Sequence, residues 1–265
     1  MTEDNQMSAT ARDHEAGEAS MNRERELAQA FVALSDTYAA EFDPLSLFRR
    51  LVHTCRDLFD VDAVAVMIAD ARGGLKTMAA TDEDAAFMEL LQMQSGQGPC
   101  MDCYRSGEPT SVPDIDAEHE RWPALVTAMT ATGYRSLQAI PMRLHERSLG
   151  GLTLLRRRAG HLAADDVHLA QALADSASLG LMHWSTEPAR ADDVVTRVQS
   201  VIAAKATLDI ARGMLAEYAG STVGEAARML DVYVGRRRVR LTETAYALVT
   251  RALDPADVLA SRTSG

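Results

Sequence analysis

The chain has 265 residues, 47% apolar and 25% charged, with a formal net charge of −11. This length allows one large or two modest globular domains, and the acidic balance excludes a protein coated throughout in basic charge for nucleic acid. No apolar run reaches the roughly 20 residues of a membrane helix, and the acidic first twenty residues lack the apolar stretch of a secretory signal. Cys55, Cys100 and Cys103 are the only cysteines, which fits a reducing cytoplasm better than a disulfide scaffold. The expectation is a soluble cytoplasmic protein with no membrane partner. Charge is unevenly spread. From Asp192 to the end, ten basic residues stand against nine acidic ones, while the rest holds 17 against 29. Two segments with different partners are expected.

Residues 1–22 read as a disordered tail. A helix begins near Glu24 on the spacing of Leu27, Phe31, Leu34 and Tyr38. Asp43-Pro44 reads as a cap and first helical residue. The apolar stripe Leu45, Phe48, Leu51, Val52, Cys55 and Leu58 follows. Val61 to Asp70 is short, apolar and β-branched, hence a buried strand. Arg72-Gly73-Gly74 is turn chemistry, and Leu75 to Ala80 completes a hairpin. Asp82 to Met93 reads as a helix, Ser95 to Cys100 as a breaker-rich loop, and a short helix follows through Tyr104. Next come a short strand at Thr110 to Val112 and a helix from Trp122 to Thr132, stopped by Gly133. Two strands, Ser136 to Leu144 and Leu149 to Leu155, flank a polar turn at His145 to Ser148. Ala164 to His183 is a long apolar helix with the stripe Val167, Ala170, Leu173, Ala174, Ala177 and Leu181. This order indicates an α+β fold with a mostly antiparallel sheet and flanking helices. Pro188 marks a hinge. Three helices then span Asp192–Ala219, Val223–Val234 and Leu241–Leu253, with Gly220 as a C-cap and 254–265 as a tail.

Residues 23–187 resemble a GAF sensor domain. The resemblance rests on SGQGPCMDCYRSGEP from Ser95, VPDIDAEHERWPAL from Val112, YRSLQAIPMRL from Tyr134 and the segment from Ser148 to Leu181. It implies an antiparallel sheet with a ligand cavity on one face and helices on the other, responding to a small-molecule or redox signal. The candidate pocket loops, Gln97 to Cys103 and Asp114 to Trp122, contribute Cys100, Cys103, Asp114 and Trp122. Trp122 also reads simply as the start of a helix. The Cys100/Cys103 pair is open to three readings: a redox switch at a helix N-terminus, half of a metal site, or two small buried residues. The third is preferred, and the metal reading lacks a second ligand pair. The GAF subclass that reduces methionine sulfoxide needs a second cysteine in a loop that here reads DIDAEHERW. With no G-x-S-x-G, Walker loop or H-E-x-x-H either, no enzymatic activity and no cofactor are expected.

Residues 192–253 resemble an ANTAR domain. The matching stretches are VQSVIAAKATLDIARGMLAE from Val198, STVGEAARMLDVYV from Ser221 and RLTETAYALV from Arg240, with the signature Ala211-Arg212-Gly213-Met214-Leu215. The resemblance implies a three-helix bundle that binds paired RNA hairpins in nascent transcripts and acts in transcription antitermination. Ala204-Lys205 stands where the family has Ser-Arg, Ala227 where an aromatic is common, and Asp231 where a basic residue is usual. Lys205 and Arg212, seven apart, share a helix face with Gly213 beside them. Arg236, Arg237, Arg238 and Arg240 suit phosphates, and Tyr233 is either a stacking platform or core. Paired hairpins suit a homodimer, for which the stripe Val194, Val198, Ile202 and Leu208 is a candidate. A competing reading, prompted by Asp231 and Ala227, is a dimeric protein-interaction regulator that has lost RNA binding.

Overall fold

The computed structural model describes residues 22–36, 42–183 and 191–260. Most of the expected tail and the Pro188 hinge lie outside these residues. Helix α1 covers 22–35, and α2 spans Pro44–Leu58. Pro44 takes the first helical position, where its missing N–H is no loss. The Asp43 side chain accepts from the N–H groups of Leu45 and Ser46, satisfying two of the unpaired donors of the first turn.

Five strands follow: β1 Ala63–Ala69, β2 Leu75–Ala80, β3 Thr110–Val112, β4 Ser136–Leu144 and β5 Arg147–Arg156. They form one sheet in the order β2-β1-β5-β4-β3, antiparallel at every pairing. The two-residue period of a strand divides the core between the sheet's faces. Val64, Val66 and Ile68 of β1, with Ile140, Met142, Leu152 and Leu154, pack with α1, α2 and α6 (Ala164–His183). Ala63 and Ala65 face the other way, towards α3 (Glu83–Ser95), α4 (Pro99–Ser106) and α5 (Pro123–Thr132). Gly133 stops α5 at φ 82°, a left-handed cap that glycine adopts without steric cost. The β4–β5 turn is tighter than expected. Arg147 and Ser148 already belong to β5, leaving His145 and Glu146 as a two-residue connection, with His145 at φ 55°.

The C-terminal region consists of α7 Ala191–Ala219, α8 Val223–Arg237, α9 Leu241–Val249 and α10 Pro255–Ala260. Thr222 and Glu225 form a reciprocal capping box at the start of α8. Three expectations are corrected here. The second of these helices does not end at Val234: α8 runs on through Gly235 and Arg237 to a left-handed cap at Arg238. Arginines in a helix's last turn face the negative end of its dipole, which favours the extension. The third helix stops at Val249. Within the expected tail, Pro255–Ala260 is helical, and Val258 is fully buried.

The stripe proposed for a second chain is largely consumed within this one. Val198 and Leu208 are buried, Val194 and Ile202 pack beside them, and all join Leu173 and Leu181 in one core cluster. That cluster runs without a break from α2 and the sheet into α7, α8 and α9. No helix among the described residues is long and apolar enough to cross a membrane.

Candidate functional site

On the sensor side, the four candidate residues do not converge. Asp114 is exposed, and its carboxylate caps a short 3-10 turn by accepting from Asp116 N–H at 3.2 Å. Trp122 is buried in the cluster of α3, α5 and the sheet, beneath the Arg121 guanidinium at 4.1 Å from its ring centre. Cys103 belongs to the same cluster, whereas Cys100 packs with Met67, Leu75 and Met101. All three cysteines are free and buried. Cys100 lies in the first turn of α4, where the helix dipole favours a thiolate. Desolvation overrides that effect. Burial pushes the Cys100 thiol well above its ordinary range, with the Glu89 charge adding to it. Burial likewise pushes Cys103 up to about 12. No group of His, Cys, Asp and Glu that could hold a metal ion occurs among the described residues.

The sensor core does hold a polar cluster that the sequence reading passed over. Glu89 and Gln92 of α3 are completely buried. Gln92 Nε2 donates to Glu89 Oε2 at 3.2 Å, and Gln92 Oε1 accepts the Cys100 N–H at 2.9 Å. Glu89 Oε1 and Thr153 Oγ1 are buried without a well-formed hydrogen bond. Desolvation raises the Glu89 carboxyl to about 7, while Thr153 and Cys100 nearby pull the other way. Gly98 and Gly151 leave room for this arrangement. A Cβ at Gly98 would lie 2.3 Å from Gln92 Oε1, and one at Gly151 would lie 2.7 Å from Cys100 Sγ. The helical period carried the signal, since Ala85, Met88, Glu89 and Gln92 share one face.

In the C-terminal region, Lys205 and Arg212 do meet, through Asp209. The Lys205 ammonium contacts both carboxylate oxygens of Asp209 at 2.5 Å, and Arg212 approaches the same group at 3.8 Å. Burial lowers the Arg212 pKa, opposed by Asp209 and Asp231. Gly213 is exposed, and a Cβ there would meet no atom within 4 Å. Packing among the described residues does not require this glycine. Tyr233 is buried, with the Arg237 guanidinium 5.4 Å from its ring centre. Its ring is core, which removes it as a base-stacking platform. Arg236, Arg237 and Arg238 are exposed, and Arg240 caps α9 beside Glu243. Tyr246 on α9 and Tyr218 on α7, neither given a role from the sequence, are the described aromatics of this region that face solvent, at 65% and 56% exposure.

The two regions are tied together at α2. Arg49 forms a two-pronged ion pair with Asp231 of α8, with Nη2 to Oδ2 at 2.6 Å. Asp43, 2% exposed, caps α2 through Oδ1 and accepts the Thr242 N–H of α9 at 2.7 Å through Oδ2. Beside this clasp, burial and then the charges of Arg56 and Arg49 lower the His53 pKa. Asp231, which departs from the ANTAR pattern, therefore has a partner inside the chain.

An antiparallel sheet between two helical layers, with a helical C-terminal region clasped to one layer, defines a sensor-type α+β module. In sequence, residues 43–181 match the GAF domain, and the chain belongs to the GAF domain family. Among solved structures, the chain is similar to the GAF domain of a phosphoenolpyruvate-protein phosphotransferase from Coxiella burnetii, at 20% identity and a TM-score of 0.49, over 62% of this chain and 94% of that one. It is also similar to the corresponding GAF domain from Acinetobacter, at 12% identity and a TM-score of 0.48, over 60% and 92%. A third is free methionine-R-sulfoxide reductase from Neisseria meningitidis, at 16% identity and a TM-score of 0.47, over 61% and 89%. No protein of curated function matches the sequence.

Proposed function

We propose that the chain is a signal-responsive regulator in which the GAF domain is the sensor and the C-terminal helices bind RNA hairpins in nascent transcripts, acting in transcription antitermination. The observation that carries this reading is the arginine-rich end of α8, where Arg236, Arg237 and Arg238 are exposed together in a chain whose net charge is −11. A local concentration of guanidinium groups on an otherwise acidic protein suits a phosphate backbone. Gly213, unused by internal packing, supports close approach of a partner's backbone to α7. The protein acts in the cytoplasm, as a homodimer where paired hairpins are read.

The clasp supplies a route for control. A signal that changes the fit of α2 against α8 and α9 changes how freely the C-terminal helices engage RNA, and it acts only through unequal affinity for the two arrangements. The reading is of a binding protein rather than an enzyme. Buried thiols held protonated lack the thiolate that redox chemistry needs. The protein-interaction alternative drew on Asp231 and Ala227, and of these Asp231 has a partner within the chain in Arg49.

The test is transcription in vitro on templates carrying a terminator preceded by paired hairpins. Added protein should raise read-through, and altering the hairpin loops should abolish the increase. Unchanged read-through on every such template, with the protein folded and in excess, contradicts the antitermination reading.

A further inference from the structure

The clasp between α2 and α8 leaves two adjoining clefts along its seam, of about 250 and about 310 Å³, which share Ser46, Arg50 and Gly235. Arg238, from the exposed arginine end of α8, lines the first, and Arg49 and His53 line the second. Ser46, Arg50, His53 and Arg56 recur at steps of three and four residues, so they share one face of α2. Three features set this face apart from ordinary solvated surface. First, α2 carries three arginines against one acid, Asp57, although residues 1–191 hold 17 basic residues against 29 acidic ones. Second, two of the acids at the seam are engaged inward. Arg49 holds Asp231, and Asp43 is buried with both oxygens accepting backbone N–H groups. Asp36 lines the first cleft on its α1 side. Arg50 is exposed, donates to the Ala33 carbonyl and forms no ion pair among the described residues. Arg56 pairs with its exposed neighbour Asp57, a contact that solvent screens and a stronger anion can replace. Third, after burial, the charges of Arg56 and Arg49 lower the His53 pKa ahead of the opposing Asp57 and Asp231, which places that ring in net positive surroundings.

We propose that an RNA strand engaged by the arginine end of α8 continues across the seam onto the sensor helix α2, with Arg50 and Arg56 against its phosphates and Ser46 and His53 hydrogen-bonding between them. This rests on the RNA reading of the C-terminal helices and adds residues of the sensor domain to it. From Ser46 to Arg56 the face runs about 15 Å along the helix axis. A compact anion needs donors converging on one point, whereas donors strung along a helix suit a chain of phosphates. The basic groups of α2 and α8 lie side by side only while the clasp is shut. RNA therefore favours the clasped arrangement, and by linkage a shut clasp tightens RNA. The sensor then acts by holding α2 against α8 rather than by setting the C-terminal helices free.

The experiment is titration of the full chain with a pool of hairpin RNAs across a salt series, for the parent, the double variant Arg50→Gln, Arg56→Gln, and Arg238→Gln. The double variant keeps the Arg49–Asp231 pair. It should bind about fivefold or more weakly at low salt, with a log–log salt slope shallower by about 1.4, or about 0.7 for each phosphate no longer neutralised on single-stranded segments. Arg50→Lys, Arg56→Lys keeps both charges and should recover most of the slope. If the parent binds and Arg238→Gln weakens it, while the double variant keeps the parent's affinity and slope, RNA stops at α8 and the extension is wrong although the RNA reading stands. Weaker binding with an unchanged slope reports a loosened clasp rather than lost phosphate contacts, and overturns the extension as well. So does saturation by inorganic pyrophosphate that the double variant abolishes while its RNA binding is unaffected, since the seam then takes a compact anion. A parent that binds none of the RNAs removes both readings together.

Discussion

Replacing Glu89 by Gln should stabilise the protein at neutral and alkaline pH and leave it unchanged in acid. The carboxyl is completely buried, and desolvation raises its pKa from 4.5 to about 7. Below the lower value the carboxyl is protonated in native and unfolded chains alike, and it makes no difference to stability. Between the two values the unfolded chain ionises while the native one keeps its proton. Native stability therefore falls as pH rises, reaching its full loss above the folded pKa. At 1.36 kcal/mol per unit, that loss is on the order of 3 kcal/mol. A glutamine side chain there keeps the shape and can meet Gln92 and Thr153 without ionising. For a chain of this size each kcal/mol moves Tm by about 2–4 °C, so the variant should melt roughly 6–12 °C higher at pH 8. The two melting curves should converge near pH 5. Circular dichroism melts at successive pH values check this, since other titrating groups cancel in the difference. An offset that does not change with pH, or a variant less stable at pH 8, refutes the placement of a protonated Glu89 in the sensor core.

Other residues give sharper tests of the clasp and the output helices. Arg49→Glu or Asp231→Arg should each speed hydrogen exchange in α8 and α9, and the double swap should restore protection. The pair is about one-third exposed, so the effect should be about 0.5–1 kcal/mol, and a double swap no better than either single change contradicts the clasp. Asp43→Ala removes the α2 cap and strands the Thr242 N–H. It should cost roughly 2–3 kcal/mol by denaturant titration, with Asp43→Asn recovering part. Gly213→Ala should raise stability by roughly 0.5–1 kcal/mol yet weaken RNA binding severalfold. Equal RNA affinity would show that no backbone approaches there.

Much of the fold is legible wherever local chemistry punctuates it. The bounds of β2, β3, β4 and α6 agree with the residues expected, and Asp43-Pro44 and Gly133 cap as their side chains dictate. The misreadings have physical causes. Gly235 is a weak breaker inside a helix whose last turn is rich in arginine. Nor does the sequence, which marks Asp82 to Met93 only as a helix, show which face of α3 is buried: Phe87 and Leu90 are exposed while Glu89 and Gln92 are buried. A tertiary demand decides this: Gln92 answers the Cys100 N–H at the start of α4. Tyr233 and Tyr246 are both tyrosines on short helices, and only the packing of α8 against α7 and α10 puts the first inside. Arg49 and Asp231 lie on helices distant in sequence, so nothing local announces their pairing.

The central claim is tested most directly by titrating the full chain with a pool of hairpin RNAs across a salt series, beside the variant with Arg236, Arg237, Arg238 and Arg240 all changed to Ala. The account predicts salt-dependent binding by the parent. It also predicts weaker binding by the variant, with a log–log salt slope shallower by about 0.7 for each phosphate no longer neutralised on single-stranded segments. A parent that shows no salt-dependent binding, or a variant that binds with the same slope, contradicts RNA recognition through this arginine cluster.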